Sequence, residues 1–321
     1  MIEILGLTKS FGRLVAVDHI NLSVREGEIF GLLGPNGAGK TTTLSMLATL
    51  IKPTEGTAKV DNHDILREPA AVRRSIGIVF QDPSSDDILT GRENLYLHAL
   101  MYGVDNSIRR QRIGEVLRLV DLEDRADGLV KTYSGGMRRR LELARGLLHK
   151  PKILFLDEPT LGLDPQTREH IWQYIRRLVD QEGVTVILTT HYMDEAEHLC
   201  DRVAIIDDGK TVALDTPEQL KQIIGGDIIR LRIRNPKLGP IKELEYVLKV
   251  EQTAGFVLLT VKNSSEHLQE ILRLIGDAES VELRTPTLND VFLHYTGHEI
   301  REEEPEGGIF ERAAGLRSNR N

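Results

Sequence analysis

The sequence has little cysteine and no long apolar run. Cys200 is the only cysteine among 321 residues, so an intramolecular disulfide is impossible, and we expect this thiol to fill the core. No segment approaches the roughly 18 consecutive apolar residues that span a bilayer. Residues 1–4 offer neither a basic region nor a long apolar region, so we expect no secretion signal. Any action on a membrane is therefore expected to need a partner protein.

Positive charge is scarce relative to negative charge. The chain has 41 Lys and Arg against 49 Asp and Glu, for a net charge of −8, which disfavours a nucleic-acid partner. Its 40% hydrophobic and 28% charged residues are typical of a soluble globular protein. The length allows one large core and a smaller second domain.

Buried-strand patterns alternate with helical periodicity along most of the chain. Apolar runs at 29–33, 153–156 and 184–188 are typical of buried strands, and helical spacing separates them. We predict an α/β fold with a parallel-sheet core, a β-rich lobe and a helical subdomain at about 89–149. The predicted domains are 1–224 for this unit, 225–297 for a small α+β accessory domain, and 298–321 for a charged, disordered tail.

The segment at 34–42 is rich in glycine and ends in lysine and threonine. It lies between a predicted strand and a predicted helix, as a phosphate-binding loop does. A Gly-rich turn that arose by chance would not need these two flanking elements. Glycines let backbone N–H groups face the phosphates, and the helix N-terminus adds its positive end. We expect Lys40 to bridge the β- and γ-phosphates and Thr41 to hold Mg²⁺. The predicted ATP-binding residues are Gly34, Pro35, Asn36, Gly37, Ala38, Gly39, Lys40, Thr41 and Thr42.

An acidic pair follows the apolar run at 153–156. Asp157 lies at the predicted C-terminal end of a strand and is expected to face the Mg²⁺ site. Glu158 is then placed to polarise the attacking water. A solvated strand-end turn before Pro159 is the alternative, and the phosphate loop upstream argues against it.

Residues 133–137 read Tyr-Ser-Gly-Gly-Met ahead of a predicted helix. With the two flanking motifs, this segment resembles the signature of the nucleotide-binding subunits of ATP-binding-cassette (ABC) transporters, and the similarity extends over roughly residues 1–220. The family implies a P-loop ATPase fold and a homodimer in which Ser134, Gly135 and Gly136 of one subunit close on the γ-phosphate held by the other. A hydroxyl, backbone N–H groups and a helix N-terminus form a reasonable anion cradle. An ordinary N-cap and turn is the alternative.

Other positions match the family one by one. Phe11 resembles the aromatic residue on which adenine stacks, with a core position as the alternative. Gln81 resembles the glutamine that senses Mg²⁺ and water, and residues 163–165 resemble the loop that crosses the dimer interface. His191 resembles the switch histidine that contacts the γ-phosphate, with a structural or exposed histidine as the alternative. The resemblance thus implies catalytic roles for Lys40, Gln81, Glu158 and His191, and metal contacts for Thr41, Gln81 and Asp157.

The signature departs from the common pattern at both ends. Tyr133 replaces the commoner Leu and Met137 the commoner Gln, while the serine and both glycines are kept. These variants resemble the branch that serves drug and antibiotic exporters. Residues 287–293, Thr-Leu-Asn-Asp-Val-Phe-Leu, resemble a C-terminal segment of daunorubicin-resistance-type ATPases. The basic run 138–140 is interpreted as a solvated helix face or as ion-pair donors rather than a nucleic-acid site.

These observations predict an ATPase, with ATP and Mg²⁺ as cofactors, that drives a separate integral membrane permease from the cytoplasmic face of the plasma membrane. The segment 81–92 is the predicted permease-docking surface, with an ordinary acidic loop as the alternative. The branch implies export of a drug, antibiotic or lipid-like compound. An importer subunit and a soluble ABC ATPase, such as a drug-sequestering resistance protein or a translation or repair factor, remain alternatives.

Overall fold

The computed structural model describes residues 1–253 and 255–298. The strands are β1 (Ile2–Phe11), β2 (Leu14–Val24), β3 (Ile29–Leu33), β4 (Glu55–Val60), β5 (His63–Asp64), β6 (Ile76–Val79), β7 (Ile153–Asp157), β8 (Thr185–Thr190), β9 (Arg202–Asp207), β10 (Lys210–Asp215), β11 (Asp227–Arg232), β12 (Val247–Thr253), β13 (Phe256–Val261) and β14 (Ser280–Arg284). The helices are α1 (Lys40–Leu47), α2 (Pro69–Ser75), α3 (Gly91–Met101), α4 (Asn106–Leu119), α5 (Gly135–Leu147), α6 (Pro165–Glu182), α7 (Met193–Leu199), α8 (Pro217–Gln222), α9 (Leu238–Lys242), α10 (Ser264–Ile275) and α11 (Leu288–Thr296).

The N-terminal lobe is an antiparallel sheet in the order β2-β1-β4-β5. Side chains alternate along a strand, so Ile2 and Ile4 of β1 point to the same buried face. Ile2 pairs with Val24 on one side and with Val60 on the other, which joins three strands around one apolar layer. This lobe leaves the end of β1, where Phe11 lies, at the surface.

The central sheet has the order β10-β9-β3-β8-β7-β6. Its pairs from β6 to β9 are parallel, while β10 is antiparallel to β9. Every residue of β3, β7 and β8 is buried, as the continuous apolar runs predict. Parallel strands end at the same edge of the sheet, so Leu33, Asp157 and Thr190 bring the segments that follow them together.

A group of three helices, α3 to α5, lies between β6 and β7. Helix α3 begins with a capping box, because the Thr90 hydroxyl accepts from Glu93 N and the Glu93 carboxylate accepts from Thr90 N. Leu95, Val116 and Leu141 belong to the apolar core that α3, α4 and α5 share with the central sheet. The insertion therefore packs α5 against the central sheet.

The last sheet has the order β12-β13-β11-β14 and is antiparallel throughout. With α9 and α10 it follows the βαββαβ order of the ferredoxin-like arrangement. Ile229, Leu259 and Ile271 lie in a core of their own. Helix α11 then returns to the first core, where Leu288 and Phe292 are buried.

The predicted α/β class, with its parallel core, β-rich lobe, inserted helices and α+β appendage, is confirmed. The domain boundaries remain predictions. From residue 299 onward, the predicted tail lies outside the described residues.

Candidate active site

The residues from Gly34 to Gly39 form the turn between β3 and α1. Gly37 and Gly39 have φ angles of 85° and 101°, in the left-handed region that favours glycine. Gly34 is restricted by close packing, since an added Cβ would lie 2.1 Å from the carbonyl oxygen of Ile206. The loop therefore lies between a buried strand and a helix N-terminus, where backbone N–H groups can receive an anion.

Lys40 is the first residue of α1, and its side chain is buried. Its Nζ donates to the carbonyl oxygens of Gly34, at 2.7 Å, and Pro35, at 3.0 Å. The same atom lies 3.8 Å from Glu158 Oε1. Burial lowers the pKa of Lys40, although the Glu158 and Asp157 carboxylates oppose the shift. The ammonium group is thus held at the rim of the loop, where a phosphate group would lie.

Asp157 ends β7 opposite the phosphate loop. The hydroxyls of Thr41 and Thr189 both donate to its Oδ1, at 2.9 and 2.6 Å. Burial raises the pKa of the Asp157 carboxyl, and these two hydrogen bonds oppose the shift.

The donors at this position suit Mg²⁺. The Thr41 hydroxyl and the Asp157 carboxylate offer hard oxygen atoms, and Mg²⁺ at nucleotide sites takes one or two carboxylates together with phosphate oxygens. Within residues 1–253 and 255–298, no group of three or more His, Cys, Asp or Glu could hold a metal ion.

Glu158 is held in an unusual backbone conformation. Its φ is 46°, in the left-handed region that an L-residue other than glycine rarely occupies. Its N–H donates to Thr189 Oγ1, at 3.0 Å, and its Oε1 lies 3.1 Å from His191 Nδ1. Burial opposes ionisation, but the His191 hydrogen bond and the Lys40 charge outweigh it and hold the pKa of Glu158 below its usual value. The carboxylate is thus ionised and oriented beside Lys40.

The signature segment opens α5. Ser134 is the N-cap, and its hydroxyl accepts from Met137 N at 3.3 Å. The Tyr133 ring is buried, and its hydroxyl donates to the carbonyl oxygen of Arg125 at 2.7 Å, so the tyrosine that replaces the commoner leucine anchors the segment to the helical insertion. Gly136 packs against the start of α6, where an added Cβ would lie 2.5 Å from Thr167 Cγ2.

The other predicted positions border these groups. The Phe11 ring is 42% exposed, which makes the alternative of a core position wrong, and Lys9 Nζ lies 5.1 Å from its centroid. Gln81 follows β6 and is half-buried. Asp164 caps α6 by accepting from Thr167 N at 3.0 Å, next to the signature.

The interpretation of residues 138–140 as a solvated face is wrong for Arg139. Arg139 is 6% exposed, whereas Arg138 pairs with Asp87 and Arg140 donates to the carbonyl oxygens of Val120 and Asp121. A charged run gives no sign of which member is buried. The available signal is helical spacing, because Arg139 precedes buried Leu143 by four residues.

The fold and site define a P-loop nucleotide-binding protein of the ATP-hydrolysing kind. No helix in the described part of the chain is long and apolar enough to cross a membrane.

Comparison with protein families gives three matches. Residues 17–161 match the ABC transporter family, and residues 216–296 match the C-terminal domain of DrrA1-3-like ATP-binding proteins. A further match, over residues 130–193, is to an AAA domain described as a putative AbiEii toxin of a type IV TA system.

Similar proteins cover nearly the whole chain. The daunorubicin/doxorubicin resistance ATP-binding protein DrrA of Streptomyces peucetius is 42% identical over 92% of this chain and 92% of its own. The linearmycin resistance ATP-binding protein LnrL of Bacillus subtilis (strain 168) is 38% identical over 94% of this chain and 100% of its own. A Nod factor export ATP-binding protein I of Ralstonia nicotianae is 38% identical over 94% of this chain and 95% of its own.

Solved structures of ATP-binding cassettes match about two thirds of the chain. A dimeric ATP-binding cassette in a post-hydrolysis state bound to ADP and Pi has a TM-score of 0.61 and 32% identity, over 67% of this chain and 98% of that one. The cbiO1 protein of Clostridium perfringens, part of an ABC transporter complex, has a TM-score of 0.65 and 28% identity, over 70% of this chain and 92% of that one. The chain belongs to the ATP-binding ATPase subunits of the ABC transporter family, in the group with a DrrA-like C-terminal domain.

Proposed function

We propose that this ATPase is the motor subunit of an exporter, working as a dimer around two MgATP on a separate membrane permease. The observation that carries the proposal is the meeting of Lys40, Asp157, Glu158 and His191 at one sheet edge of a chain that also bears the signature helix. A binding site alone would not require the buried, oriented carboxylate of Glu158.

Each residue has a proposed part in binding and hydrolysis. Residues 34–42 hold the phosphates, with Lys40 at the β- and γ-phosphates, and Phe11 offers its exposed ring to adenine. Thr41, Asp157 and Gln81 would hold Mg²⁺, which neutralises developing charge on the phosphates. Glu158 accepts a proton from the attacking water.

His191 supports Glu158 in this scheme. The 3.1 Å hydrogen bond between the two side chains orients the carboxylate and keeps it ionised at neutral pH. His191 directly follows β8 and is half-buried. From this position it can also contact the γ-phosphate.

The signature supports a dimer. Helix α5 starts with N–H groups that its own backbone does not satisfy, and the segment Ser134–Gly135 is exposed at that end. Exposed donors at a helix N-terminus suit a phosphate, here the γ-phosphate on a second copy. The dimeric cassette with 32% identity is consistent with this arrangement.

The permease-docking surface is assigned to the loop at 81–92 and the adjoining α3. Ile88 is 75% exposed and Met101 80% exposed, with Leu97 and Leu100 also exposed on α3. Large exposed apolar side chains beside one another mark protein interaction sites. The loop begins at Gln81, so a permease bound to this surface would be linked to the nucleotide, at the cytoplasmic face of the plasma membrane.

The cargo is assigned from the relatives. Their printed names concern daunorubicin and doxorubicin resistance, linearmycin resistance and Nod factor export. We therefore place export of a drug, antibiotic or lipid-like compound ahead of import.

Purification of tagged Glu158→Gln protein with MgATP from detergent-solubilised native membranes tests the proposal. We expect a stoichiometric multi-spanning membrane protein, lost when Met101→Asp is added and kept when the exposed control Ile223→Asp is added. Recovery of ribosomes, nucleic acid or no partner would instead favour a soluble ATPase.

A further inference from the structure

Helix α5 carries two buried charged side chains besides the signature at its N-terminus. Arg139 is 6% exposed and Glu142 is 5% exposed. Because they are three residues apart, they lie on the same side of the helix. Burial of two charged groups is costly unless their hydrogen-bonding capacity is used.

Arg139 uses all of its hydrogen-bonding capacity on backbone carbonyl groups. A guanidinium group has five N–H donors in a rigid plane, and each of the five has an acceptor here. The acceptors are the carbonyl oxygens of Pro159 (2.6 Å from Nε), Phe80 and Gln81 (2.5 and 3.4 Å from Nη1), and Asp157 and Glu158 (2.9 and 3.0 Å from Nη2). One side chain thus joins the end of β7 to the end of β6.

These contacts fix the backbone around Glu158 from two sides. Thr189 accepts from the N–H of Glu158, while Arg139 binds the carbonyl groups before, at and after that residue. The left-handed φ of 46° at Glu158 is a costly conformation that persists only where neighbours hold it. Arg139 supplies this restraint on the carbonyl side.

Glu142 makes the complementary contacts with the loop that follows β6. Its Oε1 accepts from Ser84 N at 3.2 Å and from Ser85 N at 2.9 Å. Arg145, one turn further along α5, lies 2.7 Å from Oε2 and balances the charge. The same helix face therefore holds the catalytic strand end and the segment that contains Gln81.

We propose that Arg139 is a positioning residue for Glu158. Through Arg139, the placement of the signature helix sets the geometry of the catalytic carboxylate in the same subunit. The proposal rests on the role assigned to Glu158 above. Ser134 begins the helix that carries Arg139, so the position of the signature and that of the carboxylate are rigidly related.

Lysine cannot replace arginine in this role. Its ammonium group has three donors at one point and cannot span carbonyl groups on two strands. Arg139→Lys therefore keeps the charge and loses the restraint. Arg112 is a matched control, because it also donates to two carbonyl oxygens, those of Leu147 at 2.7 Å and Leu148 at 3.1 Å, but at the far end of α5.

The experiment measures kcat for ATP hydrolysis and Kd for ATP in Arg139→Lys and Arg112→Lys, with ATP-binding stoichiometry used to count folded molecules. We expect Arg139→Lys to lower kcat by about 10- to 100-fold, the effect of a displacement near 1 Å, with Kd within about twofold of the parent. Arg112→Lys is expected to keep the parental kcat. A kcat for Arg139→Lys no lower than that for Arg112→Lys would overturn the proposal.

The same substitution in the Glu158→Gln background separates positioning from a general structural effect. If Arg139 acts through Glu158, its replacement adds little to the loss already caused by Glu158→Gln. If Arg139→Lys lowered kcat by the same factor in the parental and Glu158→Gln backgrounds, the inference would be contradicted. A parental rate in Glu158→Gln alone would instead remove the assigned role of Glu158, and the inference with it. If the lysine variant does not bind ATP, the same measurements are made on Arg139→Gln, which keeps an amide donor.

Discussion

Replacing Phe292 with alanine tests whether the last helix is part of the ATPase core. Phe292 is fully buried in α11 and belongs to the same apolar cluster as Leu199 of α7 and Leu220 of α8. The backbone N–H of Leu288 also donates to Glu197 Oε1 on α7, at 2.6 Å. Helix α11 therefore follows the accessory sheet in sequence but packs on α7, the helix that follows His191.

The magnitude follows from complete burial. Removing a buried phenyl ring loses its transfer free energy and leaves a cavity, for a cost of about 3–5 kcal/mol. Tyr295 lies on the same helix and is 41% exposed, so Tyr295→Ala should change the stability by no more than about 0.5 kcal/mol.

Urea unfolding, monitored by tryptophan fluorescence, reports on the cassette. Trp172 is the only tryptophan, and it lies in α6 of the cassette. We expect Phe292→Ala to lower the midpoint of the Trp172 transition by about 1 M urea, while Tyr295→Ala leaves it unchanged. A Trp172 transition that does not move in Phe292→Ala would show that α11 stabilises the accessory domain alone.

Further predictions concern the signature glycine and a half-buried histidine. Gly136→Ala should cost about 1–3 kcal/mol in the free energy of unfolding, because its Cβ would lie 2.5 Å from Thr167 Cγ2. Adding Thr167→Ser removes that methyl group and should restore most of the loss in thermal melting; equal melting points for the single and double variants would refute this. Burial, followed by the Arg145 charge, lowers the pKa of His98 from 6.5 to about 4. The unfolded chain then binds more protons between these values, so stability should fall as the pH drops from 6.5 to 4, and His98→Gln should flatten this slope; equal slopes would contradict it.

The sequence predicts the parts of the site that depend on local pattern. Buried parallel strands appear as continuous apolar runs, so the ends of β3, β7 and β8 and the residues after them could be placed at one edge. The glycines of the phosphate loop likewise follow from local backbone needs. The assigned roles of these residues remain predictions that the experiments above address.

The rest depends on contacts between distant segments. Arg139 is one of three consecutive arginines, and its burial follows from carbonyl groups at residues 80–81 and 157–159. The packing of α11 on α7 joins residues about ninety positions apart, through Leu288 and Glu197. Apolar periodicity identifies a buried face of a helix without identifying its partner.

ATP-dependent dimerisation of Glu158→Gln is the most direct test of the central claim. Loss of the base should slow hydrolysis by about 10²–10⁴, so that the ATP-bound dimer accumulates. Light scattering should then find a dimer with MgATP and a monomer without it. Ser134→Arg should abolish the dimer while ATP binding persists, whereas Ser265→Arg, at an exposed serine of α10, should not. A Glu158→Gln protein that stays monomeric with saturating MgATP, or dimerises equally well with Ser134→Arg, would contradict a motor that closes on ATP through its signature helix.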